Sequence, residues 1–201
     1  VFNMKRLLLI LILTFSFQSW TKADDIRDFE IEGMSIGDSL LDYFTKKKIR
    51  IKRKYRIKYP NSKKFTAITF DEDPKLKVYD SIQANVKTND KKYIIYSISG
   101  ISYFDNNISK CKEQMKLISK ELIKIFPNAS NINKTKKHEY DKSGKSLIHQ
   151  SIFDMDSGAE ARVECYDWSK KMSKKHNLDD QLIVSILSEN FSYFIANEAY
   201  K

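Results

Sequence analysis

Apolar residues recur every three or four positions at Ile108, Cys111, Met115, Ile118, Leu122 and Ile125. That spacing marks one face of a helix, and it predicts an amphipathic helix from about Asn107 to Phe126, stopped by Pro127. Elsewhere the pattern is that of strands. "KFTAITF", "KLKVYDSIQANVKTND" and "KYIIYSISGISYF" are β-branched and aromatic runs, separated by "DEDP" and "TNDKK", which carry turn chemistry. After the long helix, "NASNINKTKK" reads as a polar loop. "HEY", "KSLIHQSIFDM" and "EARVECYDW" read as further strands, the last two joined by Asp156-Ser157-Gly158. "SKKMSKKHNLDD" reads as a polar loop leading to "QLIVSIL". A short helix is expected around "ENFSYFIANEAY", with Phe191, Phe194 and Ile195 buried.

The stretch "FEIEGMSIGDSLLDYF", residues 29–44, holds two of the chain's five glycines, Gly33 and Gly37. Phe29 and Ile31 alternate with charges, Gly33 permits a tight turn, and Asp38 or Ser39 can cap a helix that buries Leu40, Leu41 and Phe44. No G-x-G-x-x-G and no phosphate-binding lysine accompanies these glycines, so they read as architecture. "KKKIRIKRKYRIKYP" follows, residues 46–60. Ile49, Ile51, Tyr55, Ile57 and Tyr59 share one parity, and Arg50, Lys52, Lys54, Arg56 and Lys58 the other. As a strand this is a basic ladder opposite an apolar face. Lys and Arg are also good helix formers, so continuation of the preceding helix is the competing reading.

Strands in runs, with short turns between neighbours, favour antiparallel pairing and an α+β class rather than β–α alternation. The expected fold is an antiparallel sheet of six to eight strands, packed by two main helices plus a short C-terminal helix. The order carries a faint hint of two halves, each a helix followed by a meander.

Met4-Lys5-Arg6, the apolar run from Leu7 to Phe17 and Thr21-Lys22-Ala23 have the plan of a secretory signal peptide, residues 4–23. The run is too short to span a bilayer, which takes about 20 residues. Residues 24–201 are then a single domain without a transmembrane anchor, periplasmic or secreted. Asp24, not cysteine, follows the expected cut, which argues against a lipid-modified start. The chain carries a formal net charge of +10. For an exported protein that excess points to lipid head groups or anionic polysaccharide, and away from nucleic acid. Cys111 and Cys165 are the two cysteines. In an oxidising compartment a helix cysteine facing a strand cysteine can pair, two separate buried thiols being the alternative. No C-x-x-C supports redox catalysis.

No motif for catalytic or ligand chemistry is complete in the chain. Gly144-Lys145-Ser146 ends like a phosphate-binding loop, but the glycine required five residues earlier is Glu139, and strand follows. "DMDSGAE", Asp154 to Glu160, spaces acids like part of a calcium loop, yet its glycine is fifth rather than sixth. His138, His149 and His176 make no paired ligand spacing, and His149 shares strand parity with Leu147, Ser151 and Phe153. No catalytic residue, cofactor or metal ligand is assigned. Two surface candidates remain: the basic set Arg50, Lys52, Lys54, Arg56 and Lys58 for an anionic surface, and Tyr166 with Trp168 as an aromatic contact.

"DDIRDFEIEGMSIGDSLLDYF", "YSISGISYFDNNISKC" and "ARVECYDWS" resemble blocks of a group of small exported proteins from AT-rich marine bacteria, a likeness that implies no activity. "SIGDSLLDYF" is more loosely similar to the glycine turn that enters a helix in the helix-and-meander modules of β-lactamase-inhibitory proteins and small outer-membrane-assembly lipoproteins. The expectation is a non-catalytic binding module that engages an unknown envelope protein. An electrostatic binder of anionic lipid or polysaccharide is one alternative, and a hydrolase with dispersed catalytic residues the other.

Overall fold

The computed structural model describes residues 26–53, 57–71 and 73–201. The expected signal peptide, Lys54 and Arg56 lie outside the described residues.

Eight antiparallel strands form one sheet in the order β1-β2-β3-β4-β8-β7-β6-β5. They are β1 (Ile57–Lys58), β2 (Phe65–Asp71), β3 (Ser81–Lys87), β4 (Ile95–Tyr103), β5 (Ser130–Lys137), β6 (Leu147–Asp154), β7 (Glu160–Asp167) and β8 (Gln181–Leu187). The helices are α1 (Leu40–Tyr43), α2 (Lys46–Arg53), α3 (Ile108–Ile125), α4 (Lys170–His176) and α5 (Glu189–Asn197). The α+β antiparallel class is as expected; the helices are more numerous and two of them shorter. The suspected halves are real in topology. A helix precedes each four-strand meander, and β4 and β8 join the two at the centre, with Gly100 opposite Val184.

Strand alternation sorts the sheet into two faces. On one lie Ile68, Phe70, Ile82, Ala84, Ile98, Phe153, Val163, Cys165, Leu182, Val184 and Ile186, all buried beneath the N-terminal segment, α2 and α3. The stripe read from α3 meets this face, and Asn107 caps the helix by accepting from the Lys110 N–H. Cys111 is disulfide-bonded to Cys165 of β7, Cα to Cα 6.0 Å. On the other face α5 buries Phe191 and Phe194 with Phe65, half-buried Tyr59 and Ala199 beside them.

The opening stretch resolves into a tight turn. Glu32 and Gly33 both have left-handed φ, +55° and +75°, between Ile31 and Met34, whose backbones exchange hydrogen bonds of 3.0 Å. The turn presents the Glu32 carboxylate to the loop ahead of β3. There it accepts from the N–H groups of Lys77, Val78 and Tyr79 at 2.9, 2.7 and 2.9 Å. The Tyr79 ring so placed lies over Gly100, where an added Cβ would sit 2.5 Å from three ring carbons. Gly100→Ala must displace that ring, and overpacking of this kind costs about 1–3 kcal/mol. Urea unfolding should show a lower midpoint with an unchanged slope.

Four expectations need correction. Residues 46–53 are helix α2, which is the competing reading of the basic segment, and not the start of a basic strand. Ile49 is fully buried while Ile51 is 49% exposed, so the shared parity does not define a face. The i, i+4 pair Lys48 and Lys52 instead reaches Asp73 and Asp71. Leu41 is 39% exposed, because the four-residue helix α1 turns only Leu40 and then Phe44 inward. Residues 170–176 are helix α4 rather than loop: Ser169 accepts from the Met172 N–H, and Asn177 closes the end in a left-handed conformation. Finally, "SNINKTKK" is strand β5 and "HEY" is turn. β5 is held by its backbone pairing to β6, and all eight of its residues are exposed, so apolar alternation never marked it.

Candidate functional site

The basic candidates do not form a ladder. Arg50 projects from α2 into solvent and Lys58 from β1. Lys52 lies 3.5 Å from Asp71, Lys48 pairs with buried Asp73, and Arg53 donates to the Thr88 carbonyl with its guanidinium 5.9 Å from the Tyr93 ring centre. Burial pushes the Asp73 carboxyl up, but the Lys48 ammonium and the Lys75 N–H outweigh it and hold the group below the usual carboxylate range. Much of this charge therefore fastens α2 to the β2 end of the sheet. A second basic surface was not singled out from sequence. Lys63, Lys64 and Lys87 line an open cleft of about 520 Å³ with Thr88, Asn89, Asp90 and Tyr96. Lys64 at its wall pairs with Glu198 at 3.0 Å, and Lys87 lies 4.9 Å from the Tyr96 ring centre.

The aromatic candidates do come together, with a partner that sequence reasoning left isolated. Tyr166 and Trp168 share a strand face, and the His138 ring lies 5.6 Å and 4.4 Å from theirs. His138 reaches them because its N–H continues the β5–β6 ladder onto the Ser146 carbonyl. All three are half-buried. Burial, then Lys136, lowers the His138 pKa below its ordinary 6.5, while burial, then Glu164, raises the Tyr166 phenol above its ordinary range. The patch is thus neutral at pH 7.

His149 makes the one hydroxyl–imidazole–carboxylate line described. Its Nδ1 is 2.9 Å from Thr135 Oγ1, and its Nε2 is 3.9 Å from Asp167 Oδ2, beyond hydrogen-bond range. An open cleft of about 330 Å³ lies beside it, lined by Met115, Asn133, Lys134, Thr135, His149 and Gln150. Burial, then Lys112, lowers the His149 pKa, and Asp167 opposes them. A base oriented for nucleophile activation needs both links made; here one is.

The former phosphate-loop candidate is a knot that closes the β5–β6 connection. Asp141 Oδ1 accepts from the Ser143 hydroxyl at 2.7 Å, and Oδ2 accepts from Ser146 Oγ at 2.7 Å and Ser169 Oγ at 2.9 Å. The Ser143 and Ser146 hydroxyls hold the Asp141 carboxyl far below the usual range. A carboxylate depressed on folding contributes stability that is fully present above its unfolded value near 4 and lost as pH falls through the folded one. Wild type should therefore lose this contribution below about pH 4. Asp141→Asn should lack it at pH 7 and show a shallower acid limb in urea midpoints taken from pH 7 to 2. The "DMDSGAE" segment is likewise a turn, with the Met155 N–H bonded to the Ala159 carbonyl and Gly158 at φ +82°.

What remains open is an edge. β5 pairs with β6 at every residue from Ser130 to Lys137 without a bulge. The ladder continues through the His138–Ser146 bond, so by alternation Ser130, Ile132, Lys134 and Lys136 spend their backbone groups on β6. Asn131, Asn133, Thr135 and Lys137 point their N–H and C=O groups outward. No described strand pairs with that side.

The chain matches no protein-family model, no curated protein and no solved structure. Among the described residues no helix is long and apolar enough to cross a membrane, and no group of three or more His, Cys, Asp and Glu is placed to hold a metal ion.

Proposed function

We propose that the protein is an exported, disulfide-stabilised module of the cell envelope whose work is to bind another envelope protein rather than to turn over a substrate. The observation that carries this reading is the β5 edge: eight residues, all exposed, regularly paired on one side and, among the described residues, unpaired on the other. Edge strands are usually shortened, bulged, covered or armed with charge, because an open one pairs with whatever strand it meets. Among the described residues β5 has only the last of these, three exposed lysines, which oppose like-charged strands and leave acidic ones free to pair. The opposite edge of this sheet, β1, has two described residues, Ile57–Lys58. Side-chain chemistry elsewhere supports the same reading, since Glu32, Asp73 and Asp141 are engaged in holding turns and helices. The disulfide suits an oxidising compartment.

The test is chemical crosslinking of the tagged protein in its native envelope, washed at low and at high salt, with mass spectrometry of what is retained. The expected result is one reproducible protein retained at high salt by wild type and lost with Asn133→Pro. Proline there removes an outward N–H and leaves the β5–β6 ladder intact. Retention of lipid or glycan alone, released by salt, would replace this reading with electrostatic anchoring through Arg50, Lys58 and the lysine cleft.

A further inference from the structure

We infer that the β5 edge takes an extended acidic segment of a partner protein as a ninth, antiparallel strand, an inference that rests on reading β5 as the recognition edge. Strand addition draws its affinity from main-chain hydrogen bonds and its specificity from alternate side chains. The main-chain groups on offer are those of Asn131, Asn133, Thr135 and Lys137. The side chains that would read the partner are Ile132, Lys134 and Lys136, which share one face of β5 with Ile152, Gln150 and Ile148 opposite on β6. Because these three spend their backbone groups on β6, each would face the added strand in a non-hydrogen-bonded pair. There the Cα atoms approach to about 4.5 Å and side chains meet most closely.

Charge selects the occupant. Lys134, Lys136 and Lys137 are all exposed, and no described carboxylate forms an ion pair with any of them. A second copy of β5 would bring the same three ammoniums against them, so the lysines oppose self-pairing. The same lysines attract an acidic strand. Antiparallel addition also sets the order of the partner's residues. Read from its N-terminus, the segment places an acidic residue opposite Lys136, another opposite Lys134, and an apolar one opposite Ile132, which is 43% exposed. The pattern is acidic–x–acidic–x–apolar. The x positions face Thr135 and Asn133, which suits short polar or β-branched side chains.

The experiment titrates the folded protein with a fluorescein-labelled twelve-residue peptide built around Glu-Thr-Glu-Thr-Ile, at low salt. Two control peptides carry lysine in place of glutamate, or the same composition with the glutamates moved to the other parity. The expected result is saturable binding of the first peptide, at least tenfold tighter than either control, with slowed amide exchange at Asn131, Asn133, Thr135 and Lys137. The double charge reversal Lys134→Glu with Lys136→Glu lies on an exposed edge and should leave folding unchanged. It should invert the preference toward the lysine peptide. Asn133→Pro should weaken binding at least tenfold, with its unfolding midpoint checked to show that the domain is intact.

Equal binding by Asn133→Pro, or by both glutamate registers, would mean surface electrostatics without strand addition and would overturn the inference. So would a dimer in sedimentation that Asn133→Pro abolishes, which would assign the edge to a second copy. If the peptide fails but envelope crosslinking still captures an Asn133-dependent partner, the acidic-strand inference falls and the interaction-module reading stands. If both fail, both fall.

Discussion

Replacing Cys111 and Cys165 by serine is expected to destabilise the domain by about 4 kcal/mol. The two cysteines are 54 residues apart, and closing a loop of that length removes about this much unfolded-state entropy in the chain model. Both side chains are fully buried where α3 meets β7, so the serine variant also places two hydroxyls in an apolar contact. For a domain of this size the loss corresponds to a melting temperature lower by about 8–16 °C. Reduction of the wild type should produce most of the same shift without the hydroxyl cost. Thiol titration of the oxidised, unfolded protein should find no free cysteine. Two titratable thiols, or a melting temperature indifferent to reductant, would remove the disulfide from the account of stability.

The second large effect is expected at Glu32, a residue whose importance is invisible in its own neighbourhood of sequence. Glu32→Ala strands the N–H groups of Lys77, Val78 and Tyr79 at once. Hydrogen bonds to a charged acceptor contribute about 1.5–3 kcal/mol each, and this loop is partly exposed, so water recovers some of them. A net loss of about 2–4 kcal/mol is expected, with faster amide exchange at residues 77–79 and a freed Tyr79 ring over Gly100. Glu32→Gln keeps one accepting oxygen and should lose roughly half as much. An Ala variant as stable as wild type would show that the loop is held by its own apolar contacts, Leu76 and Tyr79 against the core.

The contrast between what the chain announced and what it concealed follows from burial. α3 was legible to within a residue at each end because its apolar face, its Asn107 cap and Pro127 all agree. Cys111 and Cys165 were each legible on an apolar pattern, one of a helix and one of a strand, so that a bridge stood beside two separate thiols as an expectation, and the structure joins them. Phe191 and Phe194 were legible as well, and both are buried. β5 was not legible, because a strand exposed on both faces obeys no hydrophobic alternation. Its only signature is backbone pairing with β6, which no residue of "SNINKTKK" advertises. α4 escaped for a related reason: Met172 is its one buried residue, too little to set a period.

The basic segment failed differently. Alternation of isoleucine with lysine and arginine satisfied a strand pattern, but the helix sets Lys48 and Lys52 one turn apart, where they reach Asp73 and Asp71. Tertiary ion pairing and helix propensity together overrode the period. Of the surface candidates, the aromatic residues come together while the basic ones do not. Tyr166 and Trp168 meet, and His138 joins them only because the unrecognised β5 carries it there. The lesson is specific to edges: the part of the chain most open to partners is the part that core-seeking patterns describe least.

Strand addition at β5 is tested most directly by a photo-crosslinking amino acid at Asn133, whose backbone faces the open edge of β5 and whose side chain is exposed beside it, and at Lys120, on the exposed side of α3. Both versions are irradiated in the native envelope. A partner strand on β5 yields a discrete protein adduct of one mass from position 133 and none of that mass from position 120, with the adduct abolished by charge reversal at Lys134 and Lys136. Equal labelling from both positions, or no adduct from 133, would contradict it.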